Sequence, residues 1–158
     1  MHLLDIITIL CIGLMVGNEL TVSLFINPVI WQLDEPAQAK AFSLFARYLG
    51  KAMPIWYGLS LVLILGALFE HRPVSSGPGL FLALAAALWL AAILFSVTML
   101  VPINNRIAKL DPAHPYDCWL QDRCRWDQLH QLRVVLLIMA FVLLLTDRKS
   151  TRLNSSHI

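Results

Sequence analysis

Three long, predominantly apolar runs constrain this chain more than anything else in it: Leu3–Ile26, Ala52–Phe69 and Leu80–Val101. A helix needs roughly 20 apolar residues to cross the hydrocarbon core of a bilayer, and each run approaches or exceeds that. The first lacks the basic n-region and small-residue cleavage site of a signal peptide, so it reads as a true span. A fourth run, Val134–Leu145, is too short alone. Its helix either begins near Trp126, carrying His130 and Arg133 into the membrane, or is completed by residues beyond this sequence. The expected fold is all-α: a four-helix transmembrane bundle with spans at about 3–26, 52–70, 80–102 and 126–146 within one domain, 1–146.

Composition agrees. The chain is 58% hydrophobic and 14% charged, with mean hydropathy +0.69, against about a quarter charged residues in a soluble domain. The stretch "DRKSTRLNSSH", Asp147–His157, resembles the in-frame translation of a widely used sequencing-library adapter, so residues 147–158 are set aside from fold reasoning. Without them the 12 basic and 10 acidic residues become 9 and 9, and the apparent +2 charge disappears. No case for nucleic acid remains.

The connections differ in kind. Asp34 is a helix N-cap with Pro36 in the first turn. Phe42, Phe45 and Leu49 then share a face, predicting a short amphipathic helix at the interface after the first span. "HRPVSSGPG", His71–Gly79, is a Pro- and Gly-built turn. The third connection, Asn104–Arg125, is long and polar. Connections one and three hold Lys40, Arg47, Lys51, Arg106, Lys109, Arg123 and Arg125, whereas connection two holds Arg72 alone. The positive-inside rule then places connections one and three in the cytoplasm and both termini outside, in a bacterial inner membrane. Trp31, Trp56, Trp119 and Trp126 gather on that side as an aromatic belt. "INPVIWQLDEPA" after helix one also echoes "PINNRIAKLDPA" after helix three, as two parallel hairpins would, although a chance match explains so short a stretch equally well.

A few polar residues interrupt this apolar order. Glu19, with Asn18 in "VGNELTVSLFI", is costly at membrane depth unless partnered. Glu19, Ser23 and Asn27, spaced i, i+4 and i+8, predict one inward stripe. Glu19 lies seven residues before Ile26 and Arg133 seven after Trp126, so on antiparallel helices both sit about 10 Å deep. An ion pair between them is expected. Trp126, His130 and Arg133 share one face of helix four, and Asn104, Asn105 and Arg106 close helix three on the same side. These residues form a predicted polar cluster in the cytoplasmic half. A purely structural reading stands beside it: a pair that fixes helix register, amides that cap carbonyls, and a histidine at the lipid interface.

Other candidates are thinner. His114, Cys118, Cys124 and His130 match no familiar zinc spacing, so no metal is expected. Cys118 and Cys124, five residues apart, read with Cys11 as unpaired thiols. His2 and His71 lie on the opposite side, and no bis-histidine arrangement suggests haem. Ala83, Ala87 and Ala91 share a helix face suited to close packing.

"VPINNRIA" followed by "RWDQLHQLRVVL", together with "GNEL" in helix one and the proline after it, resembles the anthrone-oxygenase-like family of small four-helix membrane proteins, many of whose bacterial members are catalogued as a domain of unknown function. The resemblance implies oxidation of a flat, hydrophobic, anthrone-like substrate with dioxygen and no added cofactor. It further implies His130 as the base, and Arg106 or Arg133 with Asn104 and Asn105 stabilising the enolate-like anion. Glu19 would hold Arg133, and Trp126 would stack on the substrate. Two other classes stay open: a non-catalytic protein binding a lipid or a protein partner, and a small transporter subunit, which would require a homo-oligomer. A ring-sized cavity beside His130 and Arg133 discriminates the enzyme from solid packing.

Overall fold

The computed structural model describes residues 3–70 and 77–155, with side chains for 3–70 and 79–146. Among them every regular element is helical, because a backbone in hydrocarbon must satisfy its own hydrogen bonds. Four helical stretches are long and apolar enough to cross a membrane, Leu3–Ile30, Glu35–Glu70, Gly79–Ala108 and Trp119–Thr146. The chain is a multi-pass membrane protein built as a four-helix bundle. Large apolar side chains such as Leu14, Ile55 and Val62 cover its outside, as lipid contact demands.

The first stretch comprises α1 (Leu3–Thr21), a π-helical segment (Val22–Ile26) and α2 (Asn27–Ile30). The third repeats the plan, with α4 (Gly77–Phe95), a π segment (Ser96–Leu100) and α5 (Val101–Ala108). Pro28 and Pro102 explain both breaks. A proline lacks the N–H for the α-helical ladder, and its ring collides with the carbonyl four residues back. A wider π turn just upstream lets the chain continue: Asn27 N–H bonds to the Val22 carbonyl and Val101 N–H to the Ser96 carbonyl. Helix three therefore does not stop at Pro102 as expected. Asn104, Asn105 and Arg106 are helical residues of α5, not an end cap.

Two further boundaries move. The expected interfacial helix and second span form one continuous helix, α3 (Glu35–Glu70), with Pro54 inside it. Phe42 and Ala46 are buried against Ile30, Ile103 and Ile107, so of the apolar face assigned to the interface Phe42 is taken up by packing on α2 and α5, while Leu49 is half-buried and Phe45 stays exposed. The last helix, α6 (Trp119–Ser155), starts two turns before Trp126, held by Trp119 Nε1 donating to Glu35 Oε1 at 3.0 Å. The adapter-like stretch from Asp147 continues α6, and residues 156–158 lie outside the described residues, as do His2 and most of the predicted His71–Gly79 turn.

α4 packs most extensively on α6. Leu82, Ala85, Trp89 and Ala92 face inward, with Leu137, Ala140 and Leu144 opposite. The stripe expected to pack closely is turned the other way: Ala87 and Ala91 are exposed and Ala83 half-buried. The tryptophans expected on one side differ in exposure, and Trp31 is the exposed one. Trp119 is buried, Trp31 Nε1 donates to Asp127 Oδ2 at 2.6 Å, and Trp56 Nε1 donates to the Cys11 carbonyl at 3.2 Å.

Candidate active site

Glu19 stands on the last turn of α1, directly before the π segment. From α6, Arg133 Nη2 donates to its Oε2 at 2.7 Å, and His130 Nε2 lies 3.0 Å from the same oxygen. The three residues are 2%, 8% and 1% exposed. An ionised carboxylate so deep is tolerable only with a cation and directed donors, and it has both. Arg133 Nη1 also reaches Ser96 Oγ at 3.4 Å, while Ser96 donates to the Ala92 carbonyl at 2.7 Å. The expected ion pair is present. The carboxylate additionally holds the histidine, a contact that depth counting did not supply.

The spacing that put Trp126, His130 and Arg133 on one face has its consequence here. The Trp126 ring stacks on the imidazole, centroids 4.6 Å apart and planes 23° apart, and meets Phe42 edge-on at 5.5 Å. Arg133 lies 5.5 Å from the Tyr57 ring centroid. With Nε2 directed at a carboxylate, a neutral His130 carries its proton there and leaves the lone pair on Nδ1. That Nδ1, Tyr57 Oη and Arg133 Nε are buried without a hydrogen-bond partner. Unsatisfied polar atoms grouped this way are costly in a resting structure.

Beside them lies a cavity of about 400 Å³. Its polar wall includes Asn18, Glu19, Tyr57, Ser96, Asn104, Asn105, His130 and Arg133. Its apolar wall includes Leu49, Met53, Leu61, Ile93 and Leu100, and Trp126 also faces it. Sites for small organic molecules span roughly 300–1,000 Å³. Of the predicted site residues, six line this one space: Glu19, Asn104, Asn105, Trp126, His130 and Arg133.

Arg106 does not. It makes a two-pronged contact with Asp122, Nε to Oδ2 at 2.7 Å and Nη2 to Oδ1 at 2.6 Å, with its side chain 52% exposed. Tyr116 Oη donates to the same carboxylate at 2.8 Å. Ser23 also falls outside, since the π turn changes the register: Glu19 reaches the cavity, Asn27 lines a small neighbouring void, and Ser23 reaches neither.

Sequence reasoning missed Tyr57, Ser96 and the buried Arg123. Tyr57 and Ser96 carried a signal, each a polar group inside an apolar span. Arg123 was counted as a solvated cytoplasmic charge. It is fully buried, donates to Gln38 Oε1 at 2.6 Å and lies over the rings of Trp31 at 3.8 Å and Phe42 at 4.5 Å. It thereby braces the aromatic group behind Trp126. Among the described residues no three His, Cys, Asp or Glu side chains gather as metal ligands, and Cys11, Cys118 and Cys124 are free thiols.

No curated protein sequence and no solved structure matches the chain. The model of the family described as anthrone oxygenase matches residues 42–143, more than half of the sequence, covering α4 and α5, most of α3 and α6 to beyond His130 and Arg133. This four-helix membrane protein belongs to the anthrone oxygenase family.

Proposed function

We propose that the protein oxidises a flat, hydrophobic, anthrone-like substrate with dioxygen and without a cofactor. The observation that carries this reading is the buried Glu19–His130–Arg133 group bordering a ring-sized cavity within the membrane-spanning part of the bundle. In an anthrone the methylene between two aryl rings and opposite a carbonyl is acidic, because its conjugate base is an aromatic enolate. His130, oriented by Glu19, removes that proton through Nδ1. Arg133, with the Asn104 and Asn105 amides as secondary donors, holds the negative oxygen in a site of low dielectric. Trp126 stacks on the planar rings.

The enolate is electron-rich enough to give an electron to dioxygen. Recombination of the two radicals forms a carbon–oxygen bond, and the resulting hydroperoxide loses water to leave the quinone. One dioxygen enters; one oxygen atom stays in the new carbonyl and the other leaves as water. The methylene carbon gives up two protons and four electrons in becoming a carbonyl, and those four electrons reduce the two atoms of dioxygen to the carbonyl oxygen and water, so no outside reductant is needed.

The test uses the purified protein in phospholipid nanodiscs with anthrone in air, following quinone absorbance. His130→Gln should lower kcat by about 10²- to 10⁴-fold, the usual contribution of a positioned base. Labelled dioxygen should deliver its label to the new carbonyl. Equal turnover in wild type and His130→Gln, or label arriving from water, overturns the assignment.

A further inference from the structure

The cavity has a mouth, and its position is defined by residues that both line the cavity and are exposed. On α3 these are Gly50, Pro54 and Gly58, one turn apart. Facing them, at the same interval, are Val97, Val101 and Asn105 of the second π segment and α5. The two stripes bound a slot that runs along the helices, within the membrane-crossing stretches Glu35–Glu70 and Gly79–Ala108.

At the Asn105 end, beyond the apolar part of the slot, α3 and α5 are fastened together. Asn104 Nδ2 donates to the Ala46 carbonyl at 3.1 Å, and Arg47 Nε donates to the Ala108 carbonyl at 2.6 Å. Asn104 comes so close that a Cβ on Gly50 would stand 2.7 Å from its amide nitrogen. Eight residues along α3 the situation reverses: a Cβ on Gly58 would meet nothing within 4 Å. The bundle is thus closed at its polar end and open along its side, at a level where apolar side chains face lipid.

The geometry points to a lateral portal through which the cavity exchanges a planar, lipid-dissolved molecule with the bilayer. Its occupant is apolar over most of its surface and carries an oxygen acceptor. The slot is lined by glycines, a proline and two valines, which offer shape and no charge, while the donors lie deeper on Arg133 and Asn104 and at the polar end of the mouth on Asn105. A molecule that partitions into hydrocarbon arrives at such a slot already desolvated, so no water shell has to be removed on the way in. The inference rests on the proposed oxidation only for the kind of molecule admitted, and its test separates the two.

The probe is 9,10-anthraquinone, which the proposed reaction does not consume, dissolved in nanodisc lipid and followed by quenching of tryptophan emission in a rapid-mixing experiment. Gly58→Phe and Val97→Phe obstruct the slot; Gly17→Phe is the control, on α1 outside the cavity and likewise without a neighbour within 4 Å. Both plugs should slow association by about tenfold or more, and the control should match wild type. Unchanged association in both plugs places the route elsewhere and overturns the portal. So does a wild type that takes up no anthraquinone from lipid, which is the result expected if an acyl chain fills the slot. Uptake through the slot without oxidation of anthrone leaves the portal standing and removes the proposed reaction.

Discussion

Removing the charge of Glu19 should be far more damaging alone than in company. In Glu19→Gln the amide oxygen could still accept from Arg133 and His130, which Oε2 now serves at 2.7 Å and 3.0 Å, but it would carry no charge. A guanidinium only 8% exposed would lose its counter-charge, and breaking a buried pair from one side costs about 3–5 kcal/mol. Arg133→Gln should cost about the same by stranding the carboxylate. The double variant places two neutral amides opposite each other, free to bond, and should lose little more than either single one. The coupling is then about 3 kcal/mol, at the upper end for groups in contact. Reversible unfolding in mixed micelles, followed by helical circular dichroism, gives all four corners of the cycle. A second cycle with His130→Gln should couple by only about 1 kcal/mol, as a neutral hydrogen bond does. If the Glu19 and Arg133 effects add to within about 0.5 kcal/mol, the two groups do not act as a pair and the reasoning fails.

Other outcomes follow from the same geometry. Alanine at Gly58 gains helix propensity in open space, while alanine at Gly50 gains the same but pushes Asn104 off the Ala46 carbonyl; Gly58→Ala should be the more stable by about 1 kcal/mol, and the reverse order in thermal unfolding would contradict the close approach. Arg106→Gln should cost less than about 1 kcal/mol, as an exposed pair does, and should leave anthrone oxidation unchanged, because Asp122 holds that side chain away from the cavity. Burial, reinforced by the bond to Asp122, pushes the Tyr116 hydroxyl up from 10.0 to about 12. The folded state therefore favours the protonated form; this contribution is complete below pH 10 and fades as pH climbs toward 12. Tyrosinate absorbance, taken as wild type minus Tyr116→Phe, should rise near pH 12, and a rise near pH 10 would show the hydroxyl to be free.

The parts legible in the sequence are those that the bilayer itself enforces. Long apolar runs announce spans, and a constant rise per residue places Glu19 and Arg133 at one depth, so their pairing needed only that the two helices be neighbours. Helical spacing likewise put Trp126, His130 and Arg133 on one side of α6. Other features depend on packing that no local pattern contains. Whether Pro102 ends a helix or is accommodated by a π turn depends on the surroundings, and the residues after it changed from cap to cavity wall accordingly. Arg106 looked like a site residue because its true partner, Asp122, lies across a connection whose path composition does not fix. Phe42 looked lipid-facing because its burial is supplied by α2 and α5, and Arg123 looked solvated because Trp31, Gln38 and Phe42 reach it only in three dimensions.

The weak echo between the two Pro-Asn stretches acquires a physical meaning in the folded chain. Each half runs through an α-helix, a π segment, a proline and a short helix, then a long returning helix. A π turn shifts the register of everything after it, so the two halves present equivalent positions to the space between them. Val22 and Ser96 open their π segments, and both line the cavity; one turn earlier stand Glu19 and Ile93, and both line it too. The frame is repeated, but the chemistry is not: one half supplies the carboxylate, the other an isoleucine at the matching place and the serine that touches Arg133. π turns in α-helices occur frequently at functional sites, and here the register shift accounts for it. Straightening one of them, as Pro102→Ala would permit, should turn Asn104 away from Ala46 and Gly50 and open the fastened end of the slot. That change should increase uptake of anthraquinone from water relative to lipid, whereas an unchanged ratio would mean that the π turn is only a way around the proline.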